Sequence, residues 1–214
     1  MRNVILILIS FTLFFILPLI SCDSVTINKS LTIQDHEKVS GDVSSINGSI
    51  QVGEECLIDG ECQTINGSIN IDRNSEVEGL QSINGSIMVG KQVTIKHHIR
   101  SVNGNVEVAE ESRIQGKIST INGGIELNKV WIKRDIETHH GNILLDQGTE
   151  LKGDIVIRGS SQKKNRPLTI QILNGSKVEG DIRVTDPDRQ VEVYVSTDSE
   201  IQGKVIQAKV VKDS

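Results

Sequence analysis

Aromatic residues are nearly missing from this chain: they make up 2% of its 214 residues, and all three Phe (Phe11, Phe14, Phe15) fall within the first 21 positions. Beyond that point only Trp131 and Tyr194 remain. A compact globule fills its centre with such bulky groups, whereas a narrow stack of short strands needs only Ile, Val and Leu. No long helical pattern follows residue 21, which argues against a helical bundle. Bases are outnumbered, with 23 Lys and Arg against 28 Asp and Glu and a formal net charge of −5, so nucleic acid is excluded as a natural partner. Nucleophile-elbow and phosphate-loop patterns are also lacking, and the abundant Ser has no His and Asp in a recognisable order around it. The reading of the chain is therefore non-catalytic, with no cofactor and no metal.

What is present is a repeat. Ser45-Ile46-Asn47-Gly48-Ser49-Ile50 returns at Thr64 to Ile69, Ser82 to Ile87, Ser101 to Val106 and Thr120 to Ile125, with looser copies at Thr26 to Leu31 and Thr138 to Ile143. The Asn-type position falls at 28, 47, 66, 84, 103, 122 and 140, in steps of 18 or 19 residues. Such constancy marks a stacked repeat protein, each unit burying its apolar face against its neighbours. Asn-Gly between apolar residues is also the strongest short hairpin signal. A second series argues against a hairpin: an aliphatic residue stands two before an intervening Gly at Ile58, Val77, Ile114, Leu151, Val178 and Ile201, or before its equivalent. Aliphatics recur about every six residues (Ile46, Val52, Ile58; Ile65, Ile71, Val77; Ile83, Val89, Ile95). Three such steps complete one coil. The expectation is an all-β, single-stranded parallel β-helix with three short sides, coils of 18–19 residues and a spacing of roughly 4.8 Å between coils. Counting alternation straight through the motif puts Ile, Gly and Ile inward, with Asn and Ser outward.

The N-terminus carries an address. Met1-Arg2-Asn3 precedes an apolar run from Val4 to Leu17, as in a secretory signal. It ends at Leu19-Ile20-Ser21-Cys22, which resembles the lipobox of bacterial lipoproteins. The resemblance implies a signal peptide over residues 1–21, a mature domain over 22–214, lipid on Cys22 and a membrane as partner. Asp23 resembles the enterobacterial signal for retention at the inner membrane, which favours its periplasmic face over the outer membrane. Loss of Arg2 with the leader leaves 22 basic and 28 acidic residues, a formal −6. Cys56 and Cys62 then form an even pair outside the cytosol, flanking a corner at Asp59-Gly60. Two outcomes stay open: a disulfide, or two inward thiols acting as small apolar residues.

The repeat from about Val25 to Ile157 resembles adhesin-like β-repeat domains of bacterial envelope proteins and, more loosely, bactofilins. That likeness implies a right-handed coil, surface contact with an envelope protein or polymer, and a capacity for self-association. The hexapeptide acyltransferases share the three-step count, but their Gly directly follows the aliphatic residue. In a parallel stack Asn28, Asn47, Asn66, Asn84, Asn103 and Asn122 superimpose, and their amides can bond from coil to coil. After Gly153 the rhythm loosens around a polar loop holding Lys163, Lys164 and Arg166, and irregular coils over 158–214 close the stack, with Lys204, Lys209 and Lys212 guarding its edge. His97-His98 and His139-His140 fall at different points of the perimeter. Glu54-Glu55 and Glu110-Glu111 read as a solvated acidic edge.

Overall fold

The computed structural model describes residues 24–159 and 167–212. The signal region, Cys22, Asp23 and the basic Lys163, Lys164 and Arg166 lie outside the described residues.

Apart from two longer strands, strands of two to five residues follow one another around each coil, and the pairings are parallel to a strand one coil away. Side one of the coil is a ten-stranded ladder that begins Leu31–Ile33, Ile50–Val52, Ile69–Ile71, Ile87–Val89 and ends Val191–Val195, Lys209–Lys212. Side two includes Lys38–Ser40, Thr94–Ile95, Arg113–Ile114, Trp131–Ile132 and Glu150–Leu151, and side three includes Val43–Ser45, Ile99–Ser101, Ile118–Thr120 and Ile136–Thr138. Leu57–Asn66 and Glu76–Asn84 run across both, joining sides two and three into one 17-stranded sheet. The chain is thus an all-β parallel β-solenoid, and among the described residues no helix forms.

The core is a set of aliphatic columns. Leu31, Ile50, Ile69, Ile87, Val106, Ile125, Ile143 and Ile170 stack on side one. Val43, Cys62, Leu80, Ile99, Ile118, Ile136, Ile155 and Ile182 stack on side three. Most of these side chains are wholly buried, each contributing about 1.5–3 kcal/mol of transfer free energy. No ring is needed to fill so narrow an interior. The columns continue on both sides of residues 160–166: Ile170 pairs with Ile143, and Ile182 with Ile155.

The phase of the motif differs from straight alternation. The chain bends at residues 46–48, so the count restarts there, and Ser45, Thr64, Ser82, Ser101 and Thr120 point inward with at most 2% exposure. Ile46, Ile65, Ile83 and Val102 are half-buried on the outside, and Ile27 and Ile121 are exposed. The inward hydroxyls avoid a polar penalty by donating to backbone carbonyls, Thr64 Oγ1 to Gly48 O at 3.0 Å and Ser82 Oγ to Gly67 O at 3.2 Å in the coil before, and Thr120 Oγ1 to Gly123 O of its own coil at 2.8 Å.

Glycine is required at this bend by proximity. Gly48, Gly67, Gly85, Gly104 and Gly123 do not have the positive φ of a hairpin Gly. A Cβ on Gly85 would instead lie 2.0 Å from the carbonyl oxygen of Gly67, and one on Gly104 2.1 Å from that of Gly85. The Asn-Gly pair is a stacking corner.

Candidate functional surfaces

The six ladder asparagines come together as one column. Asn47 Nδ2 donates to Asn28 Oδ1 at 2.6 Å, Asn66 to Asn47 at 2.7 Å, Asn84 to Asn66 at 2.8 Å, Asn103 to Asn84 at 2.9 Å and Asn122 to Asn103 at 2.9 Å. All six are exposed. They stand beside the Ile27–Ile121 column, so the corner carries an apolar ridge and an amide ladder side by side. In the next coil His140 takes the Asn position, its backbone N–H donating to Ile121 O at 3.0 Å, so the run of asparagines ends at Asn122.

A second ladder lies inside. Cys56, Ser75, Val93, Ser112, Val130, Thr149 and Ser176 occupy the residue just before side two. Ser112 Oγ accepts from Val93 N at 3.1 Å and donates to Gly90 O at 2.8 Å, and Thr149 and Ser75 repeat the arrangement. These hydroxyls satisfy buried backbone groups where the chain turns. The sequence signal was the recurrence of Ser, Thr or Cys at this position, which is easily masked by the alternating Val.

Cys56 and Cys62 are not bridged: both are free, buried thiols. They belong to different sides of the triangle. Cys56 extends the hydroxyl ladder, donating from Sγ to Gln34 O at 3.0 Å, while Cys62 fills the side-three aliphatic column between Val43 and Leu80. Burial pushes the Cys56 thiol up, and pushes that of Cys62 up to about 12 with help from Asp42 and Glu61.

The corner between sides one and two is mixed in charge, which corrects the acidic edge read from the glutamate pairs. Arg73 lies between them and pairs with Glu54 at 2.7 Å, Lys91 with Glu110 at 3.0 Å and Lys129 with Glu111 at 2.9 Å. Here His36, Glu55, Asn74, Gln92, Glu111 and Lys129 all hold φ between 53° and 63°. Each coil thus makes the same two-residue turn through the left-handed region, paid for by stacked backbone bonds such as Glu55 N to Arg73 O at 3.0 Å.

The histidine pairs do not converge. His98 sits at the corner between sides two and three, where Leu57–Asn66 carries a register irregularity between Ile58 and Glu61. Its Nε2 is buried without a hydrogen-bond partner among the described residues, 3.8 Å from Glu61 Oε1, and burial lowers its pKa. Glu61 Oε2 is held instead by the amides of Gln81 at 2.8 Å and Gln63 at 3.0 Å. His139 Nδ1 lies 3.3 Å from Gly159 O, at the other end of side three. Among the described residues, no three His, Cys, Asp or Glu side chains gather around a common point suited to a metal ion.

Hollows deepen at the C-terminal coil, where Val195, Ile201, Val205 and Val210 surround a cavity of about 470 Å³ at the open end of the core. Elsewhere the outer faces are flat strand surfaces with a shallow dent of about 150 Å³ around Glu107, Gly124 and Glu126. No family model, no curated protein and no solved structure matches the chain.

Proposed function

We propose that this is a non-catalytic, lipid-anchored protein of the bacterial cell envelope, held to a membrane through Cys22, whose solenoid presents a regular surface for adhesion, scaffolding or partner binding. The observation that carries the reading is the continuous outer face: the same few side-chain positions recur coil after coil, with the amide ladder and ion-pair corner fixed in place. A surface of this kind suits an extended partner better than a small substrate. The likeness of Leu19-Ile20-Ser21-Cys22 to a lipobox supplies the anchor, and Asp23 favours the periplasmic face of the inner membrane.

The test is metabolic labelling with a palmitate analogue in cells, followed by crosslinking and identification of what is captured. The reading expects label on the wild type, none on Cys22→Ala, and a defined envelope partner. An unlabelled wild-type chain overturns the anchor, and the absence of any envelope partner overturns the surface role.

A second reading, end-to-end self-association, is favoured by the open apolar end. Val210, in register with the buried Val193, is 39% exposed there, and a further coil from a second copy would cover it. Lys204 and Lys209 at that edge oppose it. Filaments in concentration-dependent light scattering support this alternative, and a strict monomer sinks it.

A further inference from the structure

Side two carries two outward positions per coil, and charge is distributed unevenly along them. Lys96 meets Glu76 at 2.7 Å and Glu78 at 2.9 Å, and further along Lys152 meets Glu179 at 2.6 Å and Glu150 at 3.8 Å. Between these neutralised stretches stand Arg113, Trp131, Lys133 and Arg134. Arg113 stacks in register against Trp131, its guanidinium carbon 5.9 Å from the ring centroid. The coil-to-coil backbone bonds from Lys133 and Lys152 place Lys133 between Gln115 and Lys152, so neither neighbour in its column is acidic and one repeats its charge. Among the described residues Arg113, Lys133 and Arg134 make no ion pair, and all three are exposed. Like charges on adjacent strands are unfavourable, so this stretch of a net-acidic chain has an unmet need for anions.

We propose that Arg113, Trp131, Lys133 and Arg134 bind a linear acidic glycan that crosses side two along the strand direction, with carboxylates meeting the cations and a sugar ring packing on Trp131. Positions two apart on a strand lie about 6.6 Å from each other, and neighbouring strands about 4.8 Å. An acid group on each sugar unit meets cations at that kind of spacing. The flanking coils select a narrow polymer over an anionic membrane: a plane laid on side two would press on Glu76, Glu78, Glu150, Glu179 and Glu200. A chain crossing at the Arg113 and Trp131 coils meets only Glu150 among them, which stands in register beside Trp131 with Lys152 3.8 Å away. The inference names a ligand for the surface proposed above and rests on that reading for where such polymers are met. Binding by purified protein and anchoring in cells are read separately, so either can fail alone.

Trp131 is the one tryptophan in the chain, so its emission reports the site directly. The full chain in detergent is titrated with polygalacturonate and with neutral dextran, and wild type and the triple variant R113Q/K133Q/R134Q are also compared on phosphatidylglycerol vesicles. The expected result is an emission change with polygalacturonate alone, weakened by salt and at least tenfold weaker in the triple variant. Lys96→Gln, on the neutralised stretch, binds as the wild type, and matching melting curves show that the variants fold. Silence towards polygalacturonate, equal binding of dextran, or undiminished binding by the triple variant overturns the proposal. So does a vesicle response that exceeds the polymer response and is lost in the triple variant; anchor insertion is common to both chains and does not confuse that comparison.

Discussion

Asn66 donates its side-chain amide to Asn47 Oδ1 at 2.7 Å, although 19 residues separate the two along the chain. Every rung points the same way, from each coil to the one before, so an interior Asn both gives and receives one bond. Removing one amide breaks both and leaves exposed neighbours that water can satisfy. Asn84→Ala is expected to cost on the order of 1 kcal/mol. Asn84→Asp places a carboxylate against Asn66 Oδ1, two acceptors face to face, and is expected to cost more. Denaturant melts decide this, and two variants melting like the parent remove the energetic role of the ladder.

The glycine beside each rung has a separate and larger part. Gly85→Ala drives a methyl group to 2.0 Å from a backbone carbonyl, with no flexible side chain to move aside. The coils must separate locally, and a loss of more than ~3 kcal/mol or failure to fold is expected. Gly148 is the comparison: its φ of +80° strains an alanine, yet nothing lies within 4 Å of the added Cβ. Gly148→Ala is expected to cost about 1 kcal/mol. Thermal melts of the two variants separate close approach from backbone conformation as the reason for glycine.

The stack, its period and the asparagine column were legible because they depend on residue identity repeating at 18 or 19 positions, which survives any error in local geometry. The phase around Ile46 was not. Straight alternation assumes an unbroken strand, and the bend at residues 46–48 resets it, turning Ser45 inward and Ile46 outward. The ion-paired corner was hidden for a related reason. Glu54 and Glu110 look alike in sequence, but their charge is answered by Arg73 and Lys91 one coil over, 19 residues away. The cysteines were ambiguous because a six-residue gap says nothing of which triangle side each occupies.

Those two cysteines respond differently to the same substitution. Cys56→Ser places a hydroxyl where Ser75 and Ser112 already stand in its ladder, with Gln34 O within donor reach at 3.0 Å, and is expected to change stability by less than about 1 kcal/mol. Cys62→Ser puts a hydroxyl in the aliphatic column between Val43 and Leu80, and is expected to cost about 1–3 kcal/mol for the unsatisfied group. With Cys22 replaced by Ser, a thiol assay after non-reducing denaturation is expected to find both cysteines free. Native Cys62 is expected to resist alkylation at pH 8, because burial holds its pKa near 12. One mole fewer of each thiol in that assay would mean a disulfide.

The His98 site makes stability fall as pH drops, over a window above that of Glu137. Burial lowers the folded pKa of His98 below its ordinary 6.5, with Arg100 and His97 adding to the fall and Glu61 opposing it. Below about pH 6.5 the unfolded chain therefore takes up a proton that the folded chain refuses, and stability is lost as pH falls through that value. Glu137 behaves differently: burial raises its pKa, but hydrogen bonds from Arg158 and Lys117 outweigh this and hold it below 4.5, so its contribution is lost only at lower pH. The melting temperature is expected to decline between pH 7 and pH 5 in the wild type and to stay nearly level over that range in His98→Gln. Glu61→Gln removes the one neighbour that favours the imidazolium and is expected to steepen the decline. Parallel curves for wild type and His98→Gln between pH 7 and pH 5 would assign the dependence to another group, and an unchanged slope in Glu61→Gln would show that 3.8 Å is too far for the carboxylate to act.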